Sequence, residues 1–497
     1  MMTPDLFNGN IYLIGLRLSR CGLDQLSLSH VTFLNLQSLD LSDNLFGTLQ
    51  TSSLLRLKNL RELKLARNPL TEVTTSGNND FSPQIRSLDV SHAYFDVLNA
   101  TAFLPFKKLN SLNLSGSPVI DVAGFFDNVG LKILDLRDTS IQNVPRNFFK
   151  SLIQLQVLYV DNYKLCCSDN LPEHFNTLNC MAPKDAISTC ASLIGSDSYR
   201  TSVWLMALVS IIANIANVVY LGHCQRKFPV SASASMTMLI QLSVSDACTC
   251  VYLLVIGAVD VMYSGEYFNR DHQWRSSVTC SMAGVLFVLS EHVSTLIALT
   301  LTLERVSFLR DQTHRRLCGG RASVALYSLL WTAGTSVAVA PLLPGLFDQG
   351  LYGSTALCAP VWTSSIHTIP SHQIFLGAQL SFQLLLQLAT LLVLSYVRWS
   401  SRLVAASEDV AYSRFQDVLW TNRVSVLVIV DTFCSLAVAL PGWLAVVVTD
   451  SVPDDVALGV HLFVKPLNVA LNPLLCLYSL FRESRDRRLA EAALRRV

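Results

Sequence analysis

Residues 288–309 read VLSEHVSTLIALTLTLERVSFL, an apolar run that carries Glu291 and Ser294 inside it and closes on Glu304 and Arg305. About 20 residues of helix cross a bilayer. An ionised pair at the mouth of such a helix is expensive to place in lipid, so it marks a water boundary or the interior of a bundle. The run is therefore one membrane span among several, and the rest of the chain must supply its companions.

Working outward, segments of spanning length occur at 202–224, 234–259, 281–305, 323–344, 373–397, 424–448 and 456–480, which makes the opening run the third of seven. The 497 residues are 51% hydrophobic and 15% charged, less charge than a soluble chain of this length carries. A net charge of +1 gives no reason to expect nucleic acid or an acidic substrate. Basic residues fall on alternate connections: Arg226 and Lys227; Arg305, Arg310, Arg315, Arg316 and Arg321; Arg398, Arg402, Arg414 and Arg423; then Arg482 to Arg496 in the tail. The positive-inside bias then predicts a multi-pass plasma-membrane protein with everything before the first span outside and a short basic tail, 481–497, in the cytosol. Six polar residues within five spans, Asn214, Asp246, Ser294, Asp431, Asn468 and Asn472, must face the interior or a water-filled cavity, and together they suggest a network.

Residues 1–165 follow a different rule. Paired apolar residues begin at Leu16, Leu39, Leu63, Leu88, Leu112, Leu134 and Leu158, in steps of 23, 24, 25, 24, 22 and 24, as in LQSLDLSDNLF and LRELKLARNPL. That is the spacing of leucine-rich repeats, each a short parallel strand with its leucines turned to the core, stacked into an α/β solenoid. The outward residues Arg17, Asp40, Lys64, Asp89, Asn113, Asp135 and Tyr159, flanked by Arg61, Lys132 and Gln156, would line a concave face suited to a protein partner. Asn44, Asn68 and Asn162 are expected to close the turns after the strands, with His92, Gly116 and Asp138 in place of Asn in other copies. Asn99 and Asn113 stand in glycosylation sequons. The array reads as entering mid-repeat, with no cap and no secretory signal ahead of it, so a chain continuing upstream is expected.

Thirteen cysteines without a C-x-x-C pair argue against zinc and for a population split between two redox compartments. Cys166, Cys167, Cys180 and Cys190 cluster in the hinge, 166–201, and are read as two disulfides of open connectivity. Cys280 opens the third span and Cys358 lies in the loop before the fifth, where they can tie helix to loop. No motif of a hydrolase, metalloprotease or nucleotide-binding loop occurs, so an enzyme is not expected.

The stretches LSVSDACTCVYLLVIGAVD (242–260), YSGEYFNRDHQW (263–274) and SEHVSTLIALTLTLERV (290–306) resemble the leucine-rich-repeat receptors of the rhodopsin-like G-protein-coupled class. IFLGAQL (374–380) and VKPLNVALNPLL (464–475) lean toward its relaxin-receptor branch. The resemblance covers essentially the whole chain and implies a seven-transmembrane rhodopsin-like domain over 202–480. Such a receptor binds an extracellular protein or peptide hormone through its repeats and activates a heterotrimeric G protein. The alternative is a membrane adhesion or decoy protein that binds but does not signal.

Residue by residue, the resemblance makes Glu304 and Arg305 the switch pair, Asp417 the acid that holds Arg305 at rest, and Tyr396 a fifth-span partner. It makes Asp246, Ser294, Asn468 and Asn472 a sodium site, with no other cofactor, and matches Asp431 and Trp331 to the sixth- and fourth-span residues of the family. There are departures. Cys476 stands where N-P-x-x-Y has Tyr, Ser435 where C-W-x-P has Trp, Gln241 where the second span has Asn, and Ala191 and Ser192 where acids follow the hinge cysteine.

Overall fold

The computed structural model describes residues 12–25, 33–54, 57–74, 84–95, 97–99, 103, 105–119, 121–123, 130–139, 141, 149–183, 185, 187–225, 230–310, 321–343, 350–362, 370–406, 412–448 and 454–494. The chain divides into two compact units, 1–185 and 186–497.

In the first unit the leucine pattern becomes short strands: β1 (Gly15–Arg17), β2 (Ser38–Asp40), β3 (Thr48–Gln50), β4 (Glu62–Lys64), β5 (Glu72–Thr74), β6 (Ser87–Asp89), β7 (Val97–Asn99), β8 (Ser111–Asn113), β9 (Asp121–Ala123), β10 (Ile133–Leu136), β11 (Val157–Val160) and β12 (Cys180–Met181). One eight-stranded parallel sheet runs β1-β2-β4-β6-β8-β10-β11-β12, and β3-β5 and β7-β9 form two small parallel pairs. Register places Leu16, Leu39, Leu63, Leu88, Leu112, Leu134 and Leu158 opposite one another strand by strand. From Leu39 to Leu158 these leucines are at most 1% exposed. Each such side chain contributes about 1.5–3 kcal/mol by leaving water, which explains why a strand of three residues suffices.

The turn after each strand corrects one expectation. Asn44 and Asn68 do close it: Asn68 accepts from the Phe46 N–H and donates to the carbonyls of Leu41 and Leu65. The residues at the equivalent position in later copies are Ala93, Ser117 and Thr139, whereas His92, Gly116 and Asp138 sit one place earlier. There they continue a row of left-handed backbone that includes Arg20, Asp43 and Arg67. Asn162 also lies one place earlier and caps a 3-10 turn by accepting from the Lys164 N–H. Cys166 is bonded to Cys180, and Cys167 and Cys190 are also disulfide-bonded.

The second unit is helical: α1 (Asp197–Gln225), α2 (Val230–Met262), α3 (Tyr267–Arg275), α4 (Val278–Arg310), α5 (Arg321–Val339), α6 (Pro370–Ala406), α7 (Tyr412–Trp443), α8 (Asp454–Gly459) and α9 (Lys465–Leu494). Among the described residues seven helices are long and apolar enough to cross a membrane, the last beginning in α8 and running through a π-helical turn, Val460–Val464, into α9. Helices suit that setting because their backbone polar groups are satisfied within the segment. The α4 helix packs on α2, α5, α6 and α7. Its most apolar window is 61% buried, as is that of α2, against 17% for α5; with four helices packed on it, α4 is the axle of the bundle, and α5 lies at the edge. Leu208, Ile212, Ile215 and Val219 of α1 remain exposed, as lipid-facing residues should. Pro441 lies inside α7 just before a second π-helical turn, Leu444–Val448. Beyond residue 480 the tail continues as helix to Leu494.

Candidate functional site

The site is built along α4. At its first turn Cys280 is bonded to Cys358, and the loop around Cys358 is held by three buried side chains. The Tyr252 hydroxyl donates to the Leu357 carbonyl, Trp274 Nε1 to Ala356 and the Tyr352 hydroxyl to Ala338. Burial pushes the Tyr352 phenol above its ordinary pKa.

Further along α4, Glu291 and Ser294 face inward. Ser294 donates to Asp246 Oδ1 at 3.3 Å and shares a 3.1 Å hydroxyl contact with Ser245. Asn468 and Asn472, expected with Asp246 and Ser294 around one cation, donate to Asp431 Oδ1 at 2.9 and 2.8 Å, and each lines a cavity together with Asp246. About one turn apart on α9 and so on the same face, the two amides reach the acid on α7, the helix that α9 packs against. A cavity still joins the two acids, lined by Asn217, Asp246, Asp431 and Asn472. It collects acceptors: Asp246 Oδ2, Asp431 Oδ2 and the Oδ1 atoms of Asn217 and Asn472 have no hydrogen-bond partner among the described residues, and neither has Oδ1 of Asn468, which lines a neighbouring cavity with Asp246 and Ser294. Asn214 donates to the carbonyls of Ser210 and Val469, tying α1 to α9.

At the far end of α4 Arg305 is 2% exposed. Two of its nitrogens meet Glu304, at 2.5 and 2.6 Å, and Nη2 also donates to Ser235 of α2, which in turn donates to Glu304. The side chain of Asp417 lies outside the described residues. Tyr396 is not brought here: it is 44% exposed and packs on Trp399 one turn along its own helix. Trp331 donates to Gln241 at 3.0 Å, tying α5 to α2.

Three features escaped the sequence reading. Lys465, at the start of α9, forms a buried 3.1 Å ion pair with Glu291, a contact invisible until the seventh span is laid against the third. The segment 187–196 packs onto the bundle, with Ile187, Leu193 and Ile194 at most 3% exposed. Asp260, which ends the second span, accepts from the Ile194 N–H and from Arg200 Nε, and backbone bonds join Ala191 and Cys190 to Gly265 and Phe268. Backbone groups do the docking, so Ala191 and Ser192 serve where acids were expected. A charged residue closing a hydrophobic run was the available signal for Asp260.

The third lies on the repeat sheet, where Arg17, Asp40, Lys64, Asp89, Asn113, Asp135 and Tyr159 form one row across adjacent strands. The row is less free than expected. Asp40, Asp89, Asn113 and Asp135 each accept from the backbone N–H two residues on, and so close the strand ends. Asp135 is buried under Arg137, whose guanidinium also lies 4.8 Å from the Tyr159 ring centroid. Arg17 pairs with Asp40 at 3.0 Å, and Lys64 with Glu62 at 3.1 Å. A second charged row follows one turn later, where the Arg67 guanidinium beside Asp43 holds its carboxyl below the usual range. Asn99 lies on β7, its side chain outside the described residues, and Asn113 ends β8.

The fold and its charged interior define a seven-helix membrane protein that carries a leucine-patterned parallel sheet ahead of its first span. No model of a known protein family matches the chain. It is 26% identical over 333 residues, 66% of its length, to the G-protein coupled receptor GRL101 of Lymnaea stagnalis, and 27% identical over 334 residues to relaxin receptor 1 of Mus musculus. It is also 27% identical over 190 residues, 37% of its length, to the lutropin-choriogonadotropic hormone receptor of Sus scrofa. The aligned parts amount to 28%, 42% and 26% of those proteins, so the chain spans less than half the length of each. The chain is a homologue of this group of leucine-rich-repeat G-protein-coupled receptors.

Proposed function

We propose that the chain is the receptor part of a cell-surface protein that binds an extracellular protein or peptide hormone, relaxin-like or glycoprotein-hormone-like, and activates a heterotrimeric G protein. The observation that carries it is the buried Glu304–Arg305–Ser235 cluster closing the axle helix. A desolvated guanidinium held by neighbours from two helices is a two-state element, because removing a partner of a buried charge costs several kcal/mol while a receptor needs only a few between its forms. The parallel sheet, continued as a curved solenoid outside the cell, would present the hormone surface. The homology to hormone receptors supports this over an adhesion or decoy protein.

The test is second-messenger output at matched surface expression. Asp417→Ala should raise ligand-independent output, and Arg305→Ala should abolish output while leaving binding of a relaxin-family or gonadotropin hormone unchanged. If neither substitution alters signalling through any G-protein class, the binding-only alternative stands.

The unpartnered oxygens around Asp246 and Asp431 fit a small hard cation, for which Asp246, Ser294, Asn468 and Asn472 would supply ligands, although the two amides must then turn an Oδ1 inward. Sodium should protect the purified protein from heat more than an equal concentration of a bulky organic cation, and Asp246→Asn should remove the difference. Equal protection by both cations on the unaltered chain would leave the oxygens to water.

A further inference from the structure

We infer that Glu291 and Lys465 form a lock between the third and seventh spans which holds the resting arrangement of the bundle; this rests on the receptor reading above. The pair is nearly sealed from solvent, with side chains 10% and 9% exposed and Lys465 Nζ 3.1 Å from Glu291 Oε2. Neither partner is placed by chance. Gln383 of α6 donates to Glu291 Oε1 at 3.0 Å, fixing the carboxylate from a third helix. The Lys465 ammonium sits 3.3 Å from the centroid of the Phe287 ring, one turn before Glu291 on α4, and Phe287 stacks on His461 of the π-helical turn. That turn leads directly into Lys465, and irregular turns of this kind recur where a helix must aim a particular side chain.

A ring electrostatically favourable to cations and a carboxylate thus converge on one ammonium from α4, the carboxylate held in turn by an amide of α6, while the ammonium belongs to α9. Beside the pair lies a cavity lined by Asp246, Ser294, Ser435 and Asn468. Ser435 is the small residue at the sixth-span position where a tryptophan is expected. Among the described residues that line this cavity none is aromatic, and Glu291 and Lys465 bound the space instead. Glu291 lies fourteen residues before Arg305 on the same helix, about 20 Å at 1.5 Å per residue. A shift of α9 relative to α4 must part Lys465 from Glu291, and α4 carries the switch pair at its other end.

The test is a double-mutant cycle read twice on the full chain. Glu291→Gln, Lys465→Met and the double variant are compared for heat stability of the purified protein, and for ligand-independent output at matched surface expression beside Asp417→Ala. The expected result is that either single variant raises output about fivefold or more, the scale of a modest coupling between sites. The double variant should do no more than the stronger single, and the losses in melting temperature should be non-additive. A purely structural pair would lower stability without raising output. Additive melting losses, or unchanged or lower output in both single variants while Asp417→Ala raises it, would overturn the lock alone. Silence in every variant, Asp417→Ala included, would overturn the receptor reading and the lock with it.

Discussion

At the scale of single residues, the bundle tolerates little at the start of α4. Gly284 has no side chain because a Cβ there would overlap the Tyr352 ring and the carbonyl oxygen of Cys358. The ring is pinned by its hydroxyl bond to Ala338, and the carbonyl belongs to the half-cystine bonded to Cys280, so neither can step aside. Overfilling a close-packed interior usually costs about 1–3 kcal/mol, and more when the obstruction is backbone. Gly284→Ala should therefore lower the melting temperature of the purified protein and its surface yield more than Gly222→Ala, where a Cβ meets nothing within 4 Å. Equal losses at the two glycines would show that this packing is not what the position requires. The contrast was hidden in the sequence: both glycines sit in apolar runs, and only the loop folded back by the disulfide separates them.

At the scale of the element, the repeat sheet divides its turn positions into those that bear structure and those that do not. Asn68 and Ser117 occupy the same place in two copies, five residues after the first leucine of the strand. Asn68 bonds backbone groups of its own and the preceding turn, while Ser117, wholly buried, has a hydroxyl with no hydrogen-bond partner among the described residues. Orphaning buried backbone groups costs about 1–3 kcal/mol, whereas deleting an unpartnered hydroxyl removes a penalty. Asn68→Ala should destabilise the sheet by about that amount and speed amide exchange at Phe46, and Ser117→Ala should be neutral or stabilising; the reverse order would refute the assignment. The strands themselves were legible because seven leucines at even spacing can be buried together in only one register. The turns were misread by one place because Asn162 drew the eye to its own column, and backbone of positive φ tolerates Arg, Asp and His as well as Asn. In the bundle the spans and the polar interior were legible from composition, but which amide meets which acid depends on helix rotation. That is why the bonds of Asn468 and Asn472 to Asp431, and the pairing of Lys465 with Glu291, were not legible in the sequence.

At the scale of the whole molecule, the remaining question is which way the seven spans run. The charges that orient them, Arg226 and Lys227, Arg315 and Arg316, and the arginines of the tail, lie in connections that alternate with one loop carrying Arg270 and Arg275, one without Lys or Arg from Pro344 to His372, and an acidic last loop with Asp450, Asp454 and Asp455. Lys and Arg near the ends of spans are retained on the cytosolic side, and reversing the bundle would carry all of those groups across at once. The arginines of the tail follow the seventh span within a few residues in sequence, and anionic lipid favours each basic group near the membrane surface by about 1 kcal/mol. The disulfides argue in the same direction: Cys166–Cys180 and Cys280–Cys358 need an oxidising compartment, and an odd number of crossings separates both from the basic tail. An epitope placed at residue 2 should therefore be reached by antibody on intact cells, and one placed after Val497 only after permeabilisation. Detection of both epitopes on one side would contradict an odd number of crossings, and exchange of the two would contradict the charge argument while leaving the bundle intact.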